Sequence, residues 1–277
     1  MHFRNISLSV LAAAMTLSSL SLPVLAAPAE NGKDTEDMKN AIFRYKAAVE
    51  ANPTSGPNHL KLGRAYLTGG EYDNAIKAFQ QAVKFNPEDP EGFMGLARAY
   101  GSKGEVKAAC DSIKEAVRLA PNQIQYRLKY ARLLSRADQL DQAIVEFKSA
   151  IKLDGNDASA HRDYGAAIGL KGDIAGQILE EKKALALSPD NADAYFYLGS
   201  AYAAQDKKQE SFTALKRCVE LDKTNADAYR LLAAISAAEG KNKDALEYAE
   251  TAVSLKPDNK NYIATRDKIK MKMTASK

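Results

Sequence analysis

The sequence predicts an all-α fold, a solenoid of stacked helix pairs, and three observations carry that prediction. Laid over itself at a shift of 34 residues, the chain agrees column after column without a slip in register. Small and large side chains recur in those columns at helical spacing. Glycine and proline fall at spaced points between them, where helices must stop. A composition of 45% hydrophobic and 27% charged residues, with no tryptophan, fits many short helices in a soluble globular chain better than a sheet.

The chain starts differently. Residues 1–26 combine a short basic start (Arg4), an apolar run from Ile6 to Leu22, and Pro23-Val24-Leu25-Ala26 before Ala27. This pattern predicts a secretory signal peptide cleaved after Ala26. An uncleaved anchor is disfavoured because the run is serine-rich and short of the ~20 residues a span needs. No cysteine stands near the cleavage point to take a lipid. The expected location is therefore periplasmic or secreted. Loss of the leader removes only Arg4 from a net charge of +4, so bulk charge points to no particular partner. Residues 27–33 are expected as a flexible linker and 34–55 as an N-terminal half repeat.

Six full units follow, at 56–89, 90–123, 124–157, 158–191, 192–225 and 226–259. Gly63, Ala97, Ala131, Gly165, Gly199 and Ala233 form one small column; Ala48, Ala82, Ala116, Ala150, Ala184, Cys218 and Ala252 form another. Large residues share a face with the first: Leu62, Leu96, Tyr130, Tyr164, Leu198 and Leu232, then Tyr66, Tyr100, Leu134, Ile168 and Tyr202 one turn on. An aliphatic column (Val49, Val83, Val117, Ile151, Leu185, Val219, Val253) gives the second helix of each unit its own stripe. The column Gly70, Gly104, Asp138, Gly172, Asp206, Gly240 supplies residues that tolerate a left-handed turn where the first helix ends. Pro53, Pro87, Pro121, Pro189 and Pro257 mark the end of the second helix. Two residues later Ser55, Asp89, Asp157, Asn191, Asn225 and Asn259 offer N-caps. Residues 260–277, with Arg266, Lys268, Lys270 and Lys272, are expected as a polar capping helix and tail.

These units resemble the tetratricopeptide repeat. The first carries His59, Leu62-Gly63, Tyr66, Ala75, Phe79, Ala82 and Pro87 where the family pattern has an aromatic, Leu-Gly, Tyr, Ala, Phe, Ala and Pro; only the leading aromatic is replaced. The resemblance implies a right-handed α-solenoid of helix-turn-helix repeats. It also implies a non-catalytic scaffold whose first helices line a groove that takes a peptide or a protein segment.

Catalytic chemistry finds no support. His59 and His161 both fall in the leading aromatic column, which reads as packing, and no metalloprotease, nucleophile-elbow, phosphate-loop or cysteine-pair metal motif is present. No cofactor and no metal are expected. Glu180 and Glu181, beside Lys182 and Lys183, read as a solvated face. Cys110 and Cys218 lie three units apart, too far for a disulfide in a stacked array, and are expected as buried thiols.

The face of the first helices opposite the core is centred on Arg64, Arg98, Arg132, Ala166, Ser200 and Ala234, with Lys61, Lys129, Arg136 and Arg162 on neighbouring columns. Phe196 and Tyr197 stand beside Ser200 and small residues further on. A basic stretch followed by an apolar one suits a protein or peptide with an acidic segment and then a hydrophobic anchor. An anionic envelope polysaccharide is the alternative ligand, one that needs little from Phe196 and Tyr197. The chaperone-type clamp of the family is not matched, because Leu60 and Arg64 stand where it has lysine and asparagine; nucleic acid is not expected. Unit 158–191 departs most from the pattern: Gln177 and Glu181 occupy small or apolar columns, and Gly165, Gly169, Gly172 and Gly176 crowd together. It is expected to be a soft joint.

Overall fold

The computed structural model describes residues 32–275, with side chains from 36 to 274. The predicted signal peptide lies outside the described residues. Among the described residues there are fourteen α-helices and no strand. No described helix is long and apolar enough to cross a membrane. The chain divides between Gly155 and Asn156 into two compact units.

The N-terminal unit holds α1 (Gly32–Ala51), α2 (Gly56–Thr68), α3 (Tyr72–Phe85), α4 (Pro90–Lys103), α5 (Val106–Leu119), α6 (Ile124–Arg136) and α7 (Leu140–Leu153). Helix begins at Gly32, so residues 32 and 33, expected in the linker, are helical. The sequence columns explain the stops and starts. Gly70, Gly104 and Asp138 adopt φ of 74°, 82° and 59° between the helices of each pair, a conformation glycine and aspartate tolerate. Ser55 and Asp89 accept hydrogen bonds from the amides of Asn58 and Glu91 and so cap α2 and α4.

Successive helices pack together through the small columns. Phe79 of α3 is fully buried between Gly63 of α2 and Gly95 of α4; a Cβ on Gly63 would stand 2.7 Å from its ring. Leu62, Tyr66, Ile76 and Leu96 complete that core, with Ile42, Tyr45 and Val49 of α1 against it. The next layer joins Met94, Ala97, Ile113, Ala116, Val117 and Tyr126.

The C-terminal unit holds α8 (Ala158–Leu170), α9 (Ile174–Leu187), α10 (Ala192–Ala204), α11 (Lys208–Leu221), α12 (Ala226–Ala238), α13 (Asn242–Leu255) and α14 (Lys260–Ala275). Asp157, Asn191 and Asn225 cap α8, α10 and α12 through their side chains. Asn259 accepts from the amides of Asn261 and Tyr262 at the start of α14. Left-handed turns recur at Gly172, Asp206 and Gly240. The closing helix contributes buried Tyr262 and Ile269 to the core. Outward, its Lys270 meets Glu250 at 3.0 Å.

One sequence expectation is overturned here. Glu180 and Glu181 do not form a solvated face: Glu180 is buried and Glu181 has no exposure at all. Their lysine neighbours in sequence point 100° and 200° away around the helix, so adjacency says little about burial, whereas the repeat column of Glu181 is a core column.

Candidate protein-binding face

In the N-terminal unit the first helices α2, α4 and α6 carry the predicted basic row. Lys61 and Arg64 are exposed on α2, and Arg136 is exposed in the last turn of α6. Arg64 is already engaged: its guanidinium pairs with Glu91 at the start of α4. The same carboxylate accepts the hydroxyl of Tyr126 on α6, so one acid ties three successive first helices together. Burial, then that hydrogen bond, pushes the Tyr126 phenol well above its ordinary range.

The remaining cations converge further along. Arg98, Lys129 and Arg132 are half-buried, and Arg98 Nε lies out of solvent without a hydrogen-bond acceptor among the described residues. The Lys129 ammonium is held below the usual lysine range, first by burial and then by the positive charges of Arg98 and Arg132. Three like charges this close repel one another, and an anion placed among them would relieve that repulsion and supply the missing acceptor. Arg127 is structural: it pairs with Glu146 at 2.7 Å and donates to the Pro121 carbonyl.

In the C-terminal unit the predicted contacts are arranged differently. The Arg162 guanidinium is mostly buried and binds Asp163 at 2.7 Å and Asp193 at 3.1 Å. Phe196 is 6% exposed and belongs to the core with Leu215, Cys218, Ala228, Leu231 and Leu232, so it is not a surface anchor. Its ring meets Tyr197 edge-on, with centroids 5.4 Å apart. Burial, and then Asp193, pushes the Tyr197 phenol well above its ordinary range. Ser200 is half-buried. The repeat column of Phe196 holds Leu60, Met94 and Leu128 but also Arg162 and Arg230, and all of these but Leu60 and Arg162 are buried, so the column marks an inward position of mixed chemistry.

The residues sequence reasoning missed are Glu91 and Tyr126. Glu91 stands in the second position of its repeat, the column of Asp193, and each of the two acids reaches back to an arginine of the preceding first helix. That recurrence is visible in the register once the column is read against the arginines of the repeat before. The two histidines are packed as expected. His59 Nε2 lies 2.8 Å from the Pro53 carbonyl and its ring stacks on Phe85.

Comparison with known proteins agrees with this architecture. A tetratricopeptide-repeat family model matches residues 60–124, and a second matches residues 182–213. The chain carries tetratricopeptide repeats. Solved structures share its fold. A chain of the APC/C hetero-tetramer Cut9-Hcn1 superposes with a TM-score of 0.70 at 17% identity over 84% of this chain. This chain spans 46% of that one's length. The type IV pilus biogenesis factor PilW gives 0.67 at 19% identity, over 76% of this chain and 97% of its own. YrrB, described as a tetratricopeptide-repeat protein with an unusual peptide-binding site, gives 0.57 at 18%, over 66% and 95%. No curated protein matches the sequence. A tetratricopeptide-repeat fold is consistent with a protein–protein interaction scaffold.

Proposed function

We propose that this tetratricopeptide-repeat protein is a non-catalytic scaffold of the bacterial envelope that binds an acidic segment of a partner protein on the first-helix face of its N-terminal unit. The observation that carries the reading is the convergence of Arg98, Lys129 and Arg132, with a depressed lysine and an unmatched guanidinium N–H at its centre. Carboxylates suit such a site because charge-assisted hydrogen bonds to arginine are roughly twice as strong as neutral ones. The described peptide-binding site of YrrB supports a peptide as ligand, and the leader-like residues 1–26 support export. A mature N-terminus at Ala27 in a cell-envelope fraction is the expected outcome of N-terminal sequencing; an uncleaved cytosolic chain would refute export.

Burial of Phe196 removes the predicted apolar anchor, and this favours a second reading in which an anionic polysaccharide lies along the same cations. The deciding experiment measures binding of a fluorescent oligoglutamate peptide and of a sulfated polysaccharide to the full chain and to Arg98→Glu/Lys129→Glu/Arg132→Glu. The scaffold reading expects salt-sensitive peptide binding that the triple variant loses while its helical circular dichroism is unchanged. Polysaccharide binding alone supports the second reading. Equal peptide binding by both chains places the site elsewhere. Affinity capture from envelope extract with the same pair then identifies the partner.

A further inference from the structure

Repeat 158–191 breaks the core pattern that its neighbours keep. In the column of Phe79, Ile113, Phe147, Leu215 and Ala249, α9 carries Glu181; one turn earlier, in the column of Ala75, Ala109, Ala143, Ser211 and Ala245, it carries Gln177. Both are buried. Helix α8 leaves room for them with glycine. A Cβ on Gly165 would stand 3.0 Å from Glu181 Oε1, and one on Gly169 would collide with the Gln177 amide. Gln177 is satisfied, since its amide donates to the Tyr197 carbonyl at 3.4 Å. Glu181 is not: neither carboxyl oxygen has a hydrogen-bond partner among the described residues.

The groups facing Glu181 come from every helix packed on α9. From α8 come Arg162 and Asp163; from α10, Asp193 and Tyr197; from α9 itself, Glu180, which meets His161 of α8. The polar groups around it are committed to other partners. Arg162 holds Asp163 and Asp193, while Glu180 takes His161 Nδ1 at 2.6 Å and Lys183 at 2.8 Å. An ionised Glu181 would stand beside three other carboxyl groups with no donor aimed at it. Its carboxyl is accordingly pushed well above the usual range, by burial first, with Arg162 opposing and Asp163, Asp193 and Glu180 adding.

We propose that α8 and α9 form a proton-controlled joint, closed while Glu181 keeps its proton and loosened when the proton passes to solvent. The closed pair binds a proton that the open pair releases, so closure is fully favoured below the ordinary glutamate value of 4.5 and weakens as pH rises through the raised folded value. Within that window the open population grows by up to about ten-fold per pH unit. Four glycines in the two helices and their turn keep the pair intrinsically weak, so the proton has a marginal structure to control.

The test is native-state hydrogen exchange of the full chain across pH 5 to 9, corrected for intrinsic rates, with α11 and α12 as internal reference. The expected result is that protection of 158–187 falls with pH relative to the reference in the wild type and is level in Glu181→Gln, which is neutral throughout. Glu181→Leu, which restores the apolar column, gives the same level profile and serves if the glutamine variant fails to fold. A wild-type profile that is level, or a slope that persists in the variants, overturns the joint.

Discussion

Replacing Phe79 with alanine tests the packing on which the N-terminal unit depends. The ring is wholly inaccessible and lies between Gly63 and Gly95, with Leu62, Tyr66, Ile76 and Leu96 around it. Losing it removes the transfer free energy of a buried benzyl group and leaves a cavity. Glycine walls have no side chains to fall into that space, so the cost belongs near the upper end of the range for such changes, about 4–5 kcal/mol. Urea unfolding followed by helical circular dichroism reads the loss directly. Hydrogen exchange then locates it. Stability in a repeat array is a sum of repeat and nearest-neighbour terms, so α2 to α4 lose protection while α11 to α13 keep theirs. A loss below about 1 kcal/mol, the size of an ordinary point substitution, would refute the idea that this wedge holds the first two repeats together.

Two further outcomes follow from buried positions. Ala116→Leu places three extra carbons at a helix crossing with no exposed surface and is expected to destabilise by roughly 1–3 kcal/mol; an unchanged melting temperature would contradict the register. Burial pushes the Cys218 thiol up to about 12, so the native chain is expected to leave a thiol reagent unreacted at pH 8 while the unfolded chain titrates two thiols. Because that thiol keeps its proton longer when folded, its contribution is complete below the ordinary 9.0 and is lost as pH climbs toward 12. Cys218→Ala should therefore flatten alkaline unfolding above pH 9, and an identical profile would show that another group titrates there.

The fold was legible because its signals are local and repeated. Each left-handed turn falls on the column of Gly70 to Gly240, and each side-chain cap among the first helices falls on the column of Ser55 to Asn225. Each demands a narrow choice of residue at one backbone conformation, and the sequence meets that demand six times at the turns and five times at the caps, Gln123 being the exception. The candidate site was legible only in part. The basic row appears at its columns, but which of its members are spent depends on contacts 27 to 35 residues apart, such as Glu91 with Arg64 and Tyr126. A helical-wheel reading gives the outward direction of one helix. It does not show that Ala228 and Leu231 of α12 share a core with Phe196 and so close off that flank. Glu181 shows the opposite balance: its neighbours in sequence suggested solvent, while its repeat column gave the burial the structure has.

The carboxylate of Glu91 has a consequence for direction. By holding Arg64 it offsets one of the two charges, Arg64 and Lys61, at the α2 end of the row, while Arg98, Lys129 and Arg132 stand together between α4 and α6. A row of equal charges lets an acidic chain lie either way and slide by one repeat with little change in energy. A row with one end partly offset by the protein's own acid is graded, so an approaching anion meets a polarity along the helices before it meets any shape, and both its orientation and its register are biased during encounter.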